Sequence, residues 1–172
     1  MNFRQNFKQL NQIIDFDTLI KNKKVCINEK DTHQLYDFLI KDLSKSLKYD
    51  IVSVYNHLNF NELISSNNSN IIDNKIIDDT YSLQTFYKEI FSKNFDNNNI
   101  FCFRSNSLQD IENKKIFKYQ FDTIIELINV ETGFEGKVKG FIEVYNRNGY
   151  YKRIGYGFRG DNVLYFEFEG YN

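Results

Sequence analysis

Tyr145-Asn146-Arg147-Asn148-Gly149-Tyr150 carries the sharpest structural signal in the chain. Its Asn-Gly pair supplies the backbone dihedrals that a tight hairpin demands. Before it, residues Lys137 to Tyr145 read as one strand. After it, Tyr150 to Phe158 read as the next. Arg159-Gly160-Asp161-Asn162 turns the chain again, and Val163 to Glu169 closes the pattern. Upstream, Tyr119, Phe121, Thr123, Ile125 and Leu127 recur with the period of two that marks a strand. The C-terminal third therefore predicts an antiparallel meander of about four strands. Gly140, Gly155 and Gly157 fall inside those strands, where glycine weakens pairing unless it permits bending or close approach. A curved sheet under a helical cover is the expectation.

That cover is sought in residues 1–116. All 8 glycines lie between Gly133 and Gly170 and there is no proline, so Asn, Asp and Ser must make the earlier turns. Phe3, Phe7, Leu10 and Ile14 recur at helical spacing and predict a helix over 2–16. Leu35, Phe38, Leu39, Leu43 and Leu47 predict a second over 32–49, with Asn28, Asp31 or Thr32 as its cap. Leu83, Phe86, Tyr87, Ile90 and Phe91 predict a third. Short strands are expected at 51–56 and 100–104, and Val25-Cys26-Ile27 reads as a short extended link. The expected fold class is α+β: N-terminal helices, about 1–116, packed on the meander of about 117–170, in a single domain spanning 1–172.

The order helix, helix, short strands, helix, long antiparallel strands resembles the cone-shaped fold of nuclear transport factor 2 and its relatives. The resemblance lies in element order over roughly residues 2–169 and rests on no specific motif. It implies a fold that serves enzymes, binding proteins and dimerisation modules alike.

Composition narrows the function classes. Lys plus Arg is 22 against 23 Asp plus Glu, a formal net charge of -1 that argues against general binding to nucleic-acid backbones. Glycine's absence before position 133 excludes a Gly-rich phosphate loop there. Asn, Ile, Lys, Phe and Tyr supply 89 of the 172 residues, a bias that an AT-rich genome explains without selection for function. Cys26 and Cys102 stand far apart in apolar runs and read as buried free thiols of a reducing compartment. No signal-like or membrane-spanning apolar run is present, so a cytoplasmic protein is expected.

Few residue sets suggest chemistry. Asp122, Glu126, Glu135 and Lys137 include Glu135-Gly136-Lys137, an acid-x-Lys string of the kind found in restriction-type, Mg2+-dependent nucleases. An antiparallel strand follows it instead of the supporting helix, and an ordinary solvated hairpin accounts for the string. Asp122, Glu143, Tyr145, Arg153, Tyr165 and Glu167 offer an acid-base set on the sheet; cross-strand ion pairing is the simpler account of them. His33 and His57, the two histidines, fit surface roles, and Arg159-Gly160-Asp161 fits a turn. No cofactor or metal is expected.

Tyrosine combines apolar area with a polar tip, as interfaces favour. Tyr145, Arg147, Tyr150, Tyr151, Arg153, Tyr165 and Glu167 are therefore the candidate partner-binding residues. The expected function is protein binding by surface complementarity, on the pattern of toxin-neutralising immunity proteins or phage and viral inhibitors of host defence. The partner would be a toxin or a defence component, or a second copy of the chain. The alternatives are a small pocket enzyme or ligand-binding protein, and a structural or oligomerisation module.

Overall fold

A computed structural model of the chain describes residues 8–30, 32–52, 74–78, 98–104, 121–130 and 138–167. Eight strands in these residues form one sheet: β1 (Val25–Lys30), β2 (Asp50–Val52), β3 (Lys75–Ile77), β4 (Ile100–Arg104), β5 (Thr123–Asn129), β6 (Gly140–Asn146), β7 (Tyr151–Arg159) and β8 (Asn162–Glu167). Their spatial order is β2-β3-β4-β1-β5-β6-β7-β8. The first five in that order run parallel, with β1 between β4 and β5. The last three continue antiparallel from β5.

The two halves follow different burial rules. Strands of a parallel sheet are covered on both faces and read as unbroken apolar runs. In β1, Val25 and Ile27 face one way and Cys26 the other, and all three are buried. In β4, Ile100 and Cys102 are buried on one face, Phe101 and Phe103 on the other. Phe121, just before β5, packs on both phenylalanines at ring-centroid separations of 5.8 and 6.4 Å. In β6 the pattern alternates instead: Ile142 and Val144 are buried, while Phe141, Glu143 and Tyr145 are only partly so.

Three helices lie in the described residues: α1 (Leu10–Ile13), α2 (Phe16–Leu19) and α3 (His33–Leu47). The predicted helix over 2–16 is broken where its residues are described. Asp15 caps α2 by accepting from the Thr18 backbone N–H, which ends α1 at Ile13. The predicted helix over 32–49 is α3. It buries Leu35, Tyr36, Leu39, Ile40 and Leu43 against Val25, Ile27, Ile100, Ile125 and Leu127 of the sheet. Asn22 and Asn74 take positive φ of 56°, the left-handed role expected of Asn where glycine is lacking. Lys48 does the same beyond α3, where the Ser44 hydroxyl donates to the Tyr49 carbonyl at 2.6 Å.

The expectation of helices over a curved four-stranded sheet, and with it the likeness to nuclear transport factor 2, is incorrect. β5 to β8 are antiparallel neighbours, but they form half of an eight-stranded mixed sheet. The physical reason is the shortness of β1 to β4. Strands of three to six residues, whose apolar runs are shorter still, carry no period that separates a buried parallel strand from a piece of buried helix. Val25-Cys26-Ile27 is not a link but the start of the central strand.

Candidate functional site

Open parallel sheets bind ligands beyond the carboxyl ends of their strands. Here that region centres on the passage from β1 to α3. β1 ends at Lys30 and α3 begins at His33, so residues 31 and 32 make the whole connection. Glu29 lies on the same face of β1 as Val25 and Ile27 and is fully buried. Its Oε1 accepts from the Thr32 backbone N–H at 2.5 Å and from the Thr32 hydroxyl at 3.3 Å. A carboxylate is thereby seated at the positive end of α3, where the helix dipole favours it. One turn further, the Tyr36 hydroxyl donates to buried Asp78, which directly follows β3. Among the described residues, the two carboxylates buried at this end of the sheet thus bind the first turns of α3. A groove of about 270 Å3 opens at the start of α3 on the β5–β7 side, lined by Thr32, Gln34, Leu35, Asn129, Lys139, Tyr156 and Phe158. Small-molecule sites usually occupy roughly 300–1,000 Å3.

A second constellation lies on the opposite face, across β5, β6 and β7. Register places Asn28, Glu126, Glu143 and Arg153 in one cross-strand row. Like charges directly opposite disfavour pairing, and each carboxylate of this row has its own counterpart. The Tyr145 hydroxyl donates to Glu126 at 2.6 Å. Glu143 accepts from Arg153 Nε at 3.0 Å and from the Tyr151 hydroxyl at 3.1 Å. The Arg153 guanidinium also lies 4.3 Å from the centre of the Phe141 ring, within cation–π range. Tyr151 is 59% exposed.

The predicted site residues divide accordingly. Tyr145, Tyr151 and Arg153 share this face with Glu126 and Glu143. Tyr150 and Tyr165 instead pack against the core on the α3 side. Glu167 is held there by Lys8 and Lys152 at 2.8 and 2.9 Å, which keep its carboxyl below the usual range. Arg147 sits in the hairpin turn, its Nε donating to the Phe121 carbonyl. Asp122 accepts from the Lys24 backbone N–H at 3.0 Å and so pins the start of β5. It stands four residues from Glu126 along an extended segment, roughly 13 Å. Glu135, Lys137 and His57 lie outside the described residues, as does the side chain of His33. Cys26 and Cys102 are both buried and face opposite sides of the sheet, so they cannot bridge. Among the described residues, no three His, Cys, Asp or Glu side chains gather as a metal site would require. Sequence reading missed Glu29, whose run Asn28-Glu29-Lys30-Asp31 has the polarity of an exposed helix start.

No family model matches the sequence, and no curated protein is detectably similar to it. The architecture does have a solved counterpart. It is similar to a KaiC-like protein of the hyperthermophilic archaeon Pyrococcus horikoshii, with a TM-score of 0.54 at 11% identity, over 96% of this chain and 99% of that one. The likeness shows the fold alone, an architecture similar to the KaiC-like, RecA/P-loop type. That class holds nucleotide phosphates in a Gly-rich strand-to-helix loop of the form GxxxxGK[ST]. The joint between β1 and α3 does not fit such a loop. The connection from β1 to α3 is two residues long, contains no glycine, and already has a carboxylate at the helix start.

Four tyrosines respond to these surroundings; Tyr151 is raised by desolvation and by its bond to Glu143, and three others move furthest. Burial, then the charge of Glu29, pushes the Tyr156 phenol up to about 12. Tyr145 is raised further by burial and by its bond to Glu126, and Tyr165 by burial and then by Asp42. A phenol raised above its unfolded value of about 10 contributes stability that is complete below that pH. The contribution is lost as pH rises through the folded value. Spectrophotometric titration should therefore show at least three tyrosines still protonated above pH of about 11, with the urea midpoint falling as they ionise. Ionisation of every tyrosine near the ordinary value, with the fold intact, would contradict this packing.

Proposed function

We propose that this chain acts by binding another protein, using the face of β6 and β7 that carries Tyr151, Arg153 and Phe141. The observation that supports this reading is the exposure of Tyr151 beside Arg153, which is stacked on Phe141 and paired with Glu143. A rigid aromatic next to a preoriented guanidinium is the residue pairing that dominates binding energy at interfaces. The closed passage from β1 to α3 adds to it, since it removes the ligand typical of the fold. Inhibition of a toxin or a defence component is the narrower form of the proposal. A cytoplasmic setting belongs to it too, supported by two buried thiols on opposite sheet faces. No helix among the described residues is long and apolar enough to cross a membrane.

A photo-crosslinking residue placed at position 151 in cells identifies what touches this face. The purified partner should then bind the wild-type chain at least about 30-fold more tightly than Tyr151→Ala or Arg153→Ala. Both variants should keep the wild-type melting temperature. A partner whose affinity is unchanged by either substitution would move the interface elsewhere.

A further inference from the structure

We infer that Glu29 is a built-in anion: its side chain takes the place at the start of α3 that a bound phosphate takes in the P-loop fold. Two independent features of the chain converge on this. The first is geometric. Glu29 is fully buried, on the α3 side of the central strand, and its Oε1 reaches both the backbone N–H and the hydroxyl of Thr32. Thr32 is the N-cap residue of a 15-residue helix, and its own side chain makes no capping bond to that helix. The start of α3 is therefore served by a carboxylate reaching in from the strand before it. The second feature is the length of the connection. A phosphate loop needs several residues and glycines between strand and helix, so that backbone N–H groups can surround the anion. Here Lys30 and His33 are separated by residues 31 and 32 alone, and Gly133 is the first glycine of the chain. With so short a connection, the anion has to come from the strand itself. A carboxylate two residues upstream of the joint has the reach to supply it.

Charge completes the argument. A nucleotide phosphate brought to this joint would meet the Glu29 carboxylate at short range, with Asp78 buried on the next part of α3 through Tyr36. Glu29 and Asp78 are buried, and a charge brought close to buried groups is screened far less than in bulk solvent. The chain thus keeps the electrostatic demand of the fold, an anion at the helix start, and meets it internally.

Urea unfolding, with and without added anions, tests this on the full chain. Glu29→Gln keeps the shape and removes the charge, and its unfolding constant should rise about tenfold or more. Glu29→Ala removes the group altogether. It should be restabilised by formate, acetate or inorganic phosphate at tens of millimolar, while the wild type and Glu29→Gln do not respond beyond the general effect of added chloride. Mg-ATP should give no saturable stabilisation of the wild type. Saturable one-to-one stabilisation of the wild type by Mg-ATP would overturn the inference, as would a Glu29→Gln variant as stable as the wild type. If Glu29→Ala does not fold in any of these anions, the outcome rests on Glu29→Gln and on the wild-type ATP titration, each decisive alone.

Discussion

Replacing Gly140 by Ala is expected to cost about 3 kcal/mol of stability or to prevent folding. Gly140 opens β6, where it pairs with Asn129 of β5 and Tyr156 of β7. A Cβ at this position would stand 1.9 Å from the Ile128 carbonyl oxygen and 2.8 Å from the edge and hydroxyl of the Tyr156 ring. The tyrosine can give way at its far end. The carbonyl cannot, because it belongs to the backbone of β5, which is held by parallel pairing to β1 on one side and antiparallel pairing to β6 on the other. Gly149→Ala is the control. Its φ of +87° disfavours a side chain, but nothing lies within 4 Å of the added atom. That variant should lose only about 1 kcal/mol. Urea unfolding of both separates a steric collision from a dihedral preference, and equal small losses would show that β6 does not approach β5 as described.

Phe101→Ala should be nearly as damaging, at about 3–5 kcal/mol. Phe101 lies on the sheet face away from α3, is fully buried, and packs against Phe121. A two-layer protein, with helices on one side of its sheet, would leave that face wet and tolerate the change. Phe141→Ala, on the same face but in the antiparallel half and only partly buried, should lose under about 1.5 kcal/mol. The denaturant midpoint should therefore fall sharply for Phe101→Ala and little for Phe141→Ala, with unchanged slopes. Similar losses for the two variants would contradict the deeper burial of this face at β4 than at β6.

These two variants also mark where the sequence was legible and where it was not. The Asn-Gly turn was readable because its dihedral demands are local: Asn146 Oδ1 accepts from the Asn148 and Tyr150 backbone N–H groups, and Gly149 takes positive φ. α3 was readable because Leu35, Phe38, Leu39, Leu43 and Leu47 repeat at helical spacing; Leu35, Leu39 and Leu43 are buried, joined by Tyr36 and Ile40, while Phe38 and Leu47 are partly exposed. The parallel half was legible only in part: β4 stands at the expected 100–104 and β2 overlaps the strand expected at 51–56, but β1 past Ile27 and the parallel pairing itself were not readable. In β1 the three apolar residues are followed by Asn28, Glu29 and Lys30, which have the polarity of a loop, yet all six residues pair with β5. Partners so distant in sequence leave no local trace. The candidate surface was half legible for the same reason. Tyr145 and Tyr151 are direct cross-strand partners set by the hairpin, so their shared face follows from turn geometry. Tyr165 looked equivalent, but β8 pairs it with Tyr156, which turns it toward the core. Glu29 is recognisable only once β1 is known to continue past Ile27, for parity then sends its side chain inward.

The position of β1 bears on how the chain comes into being. Val25 pairs with Ile100 on one side and Thr123 on the other, so a strand in the middle of the sheet is made first but gains its two neighbours only from β4 and β5, far along the chain. As synthesis proceeds, β1 and α3 emerge with their apolar surfaces and wait for β4 to pair one edge of β1 and then β5 to pair the other. Such distant closure slows folding and prolongs exposure of unpaired strand edges. Fragments ending before Phe121 would present β1 with one edge open and its core unfinished. Premature termination in this gene would therefore yield sticky, aggregation-prone products rather than smaller working domains, and the full-length chain has reason to depend on chaperones at birth.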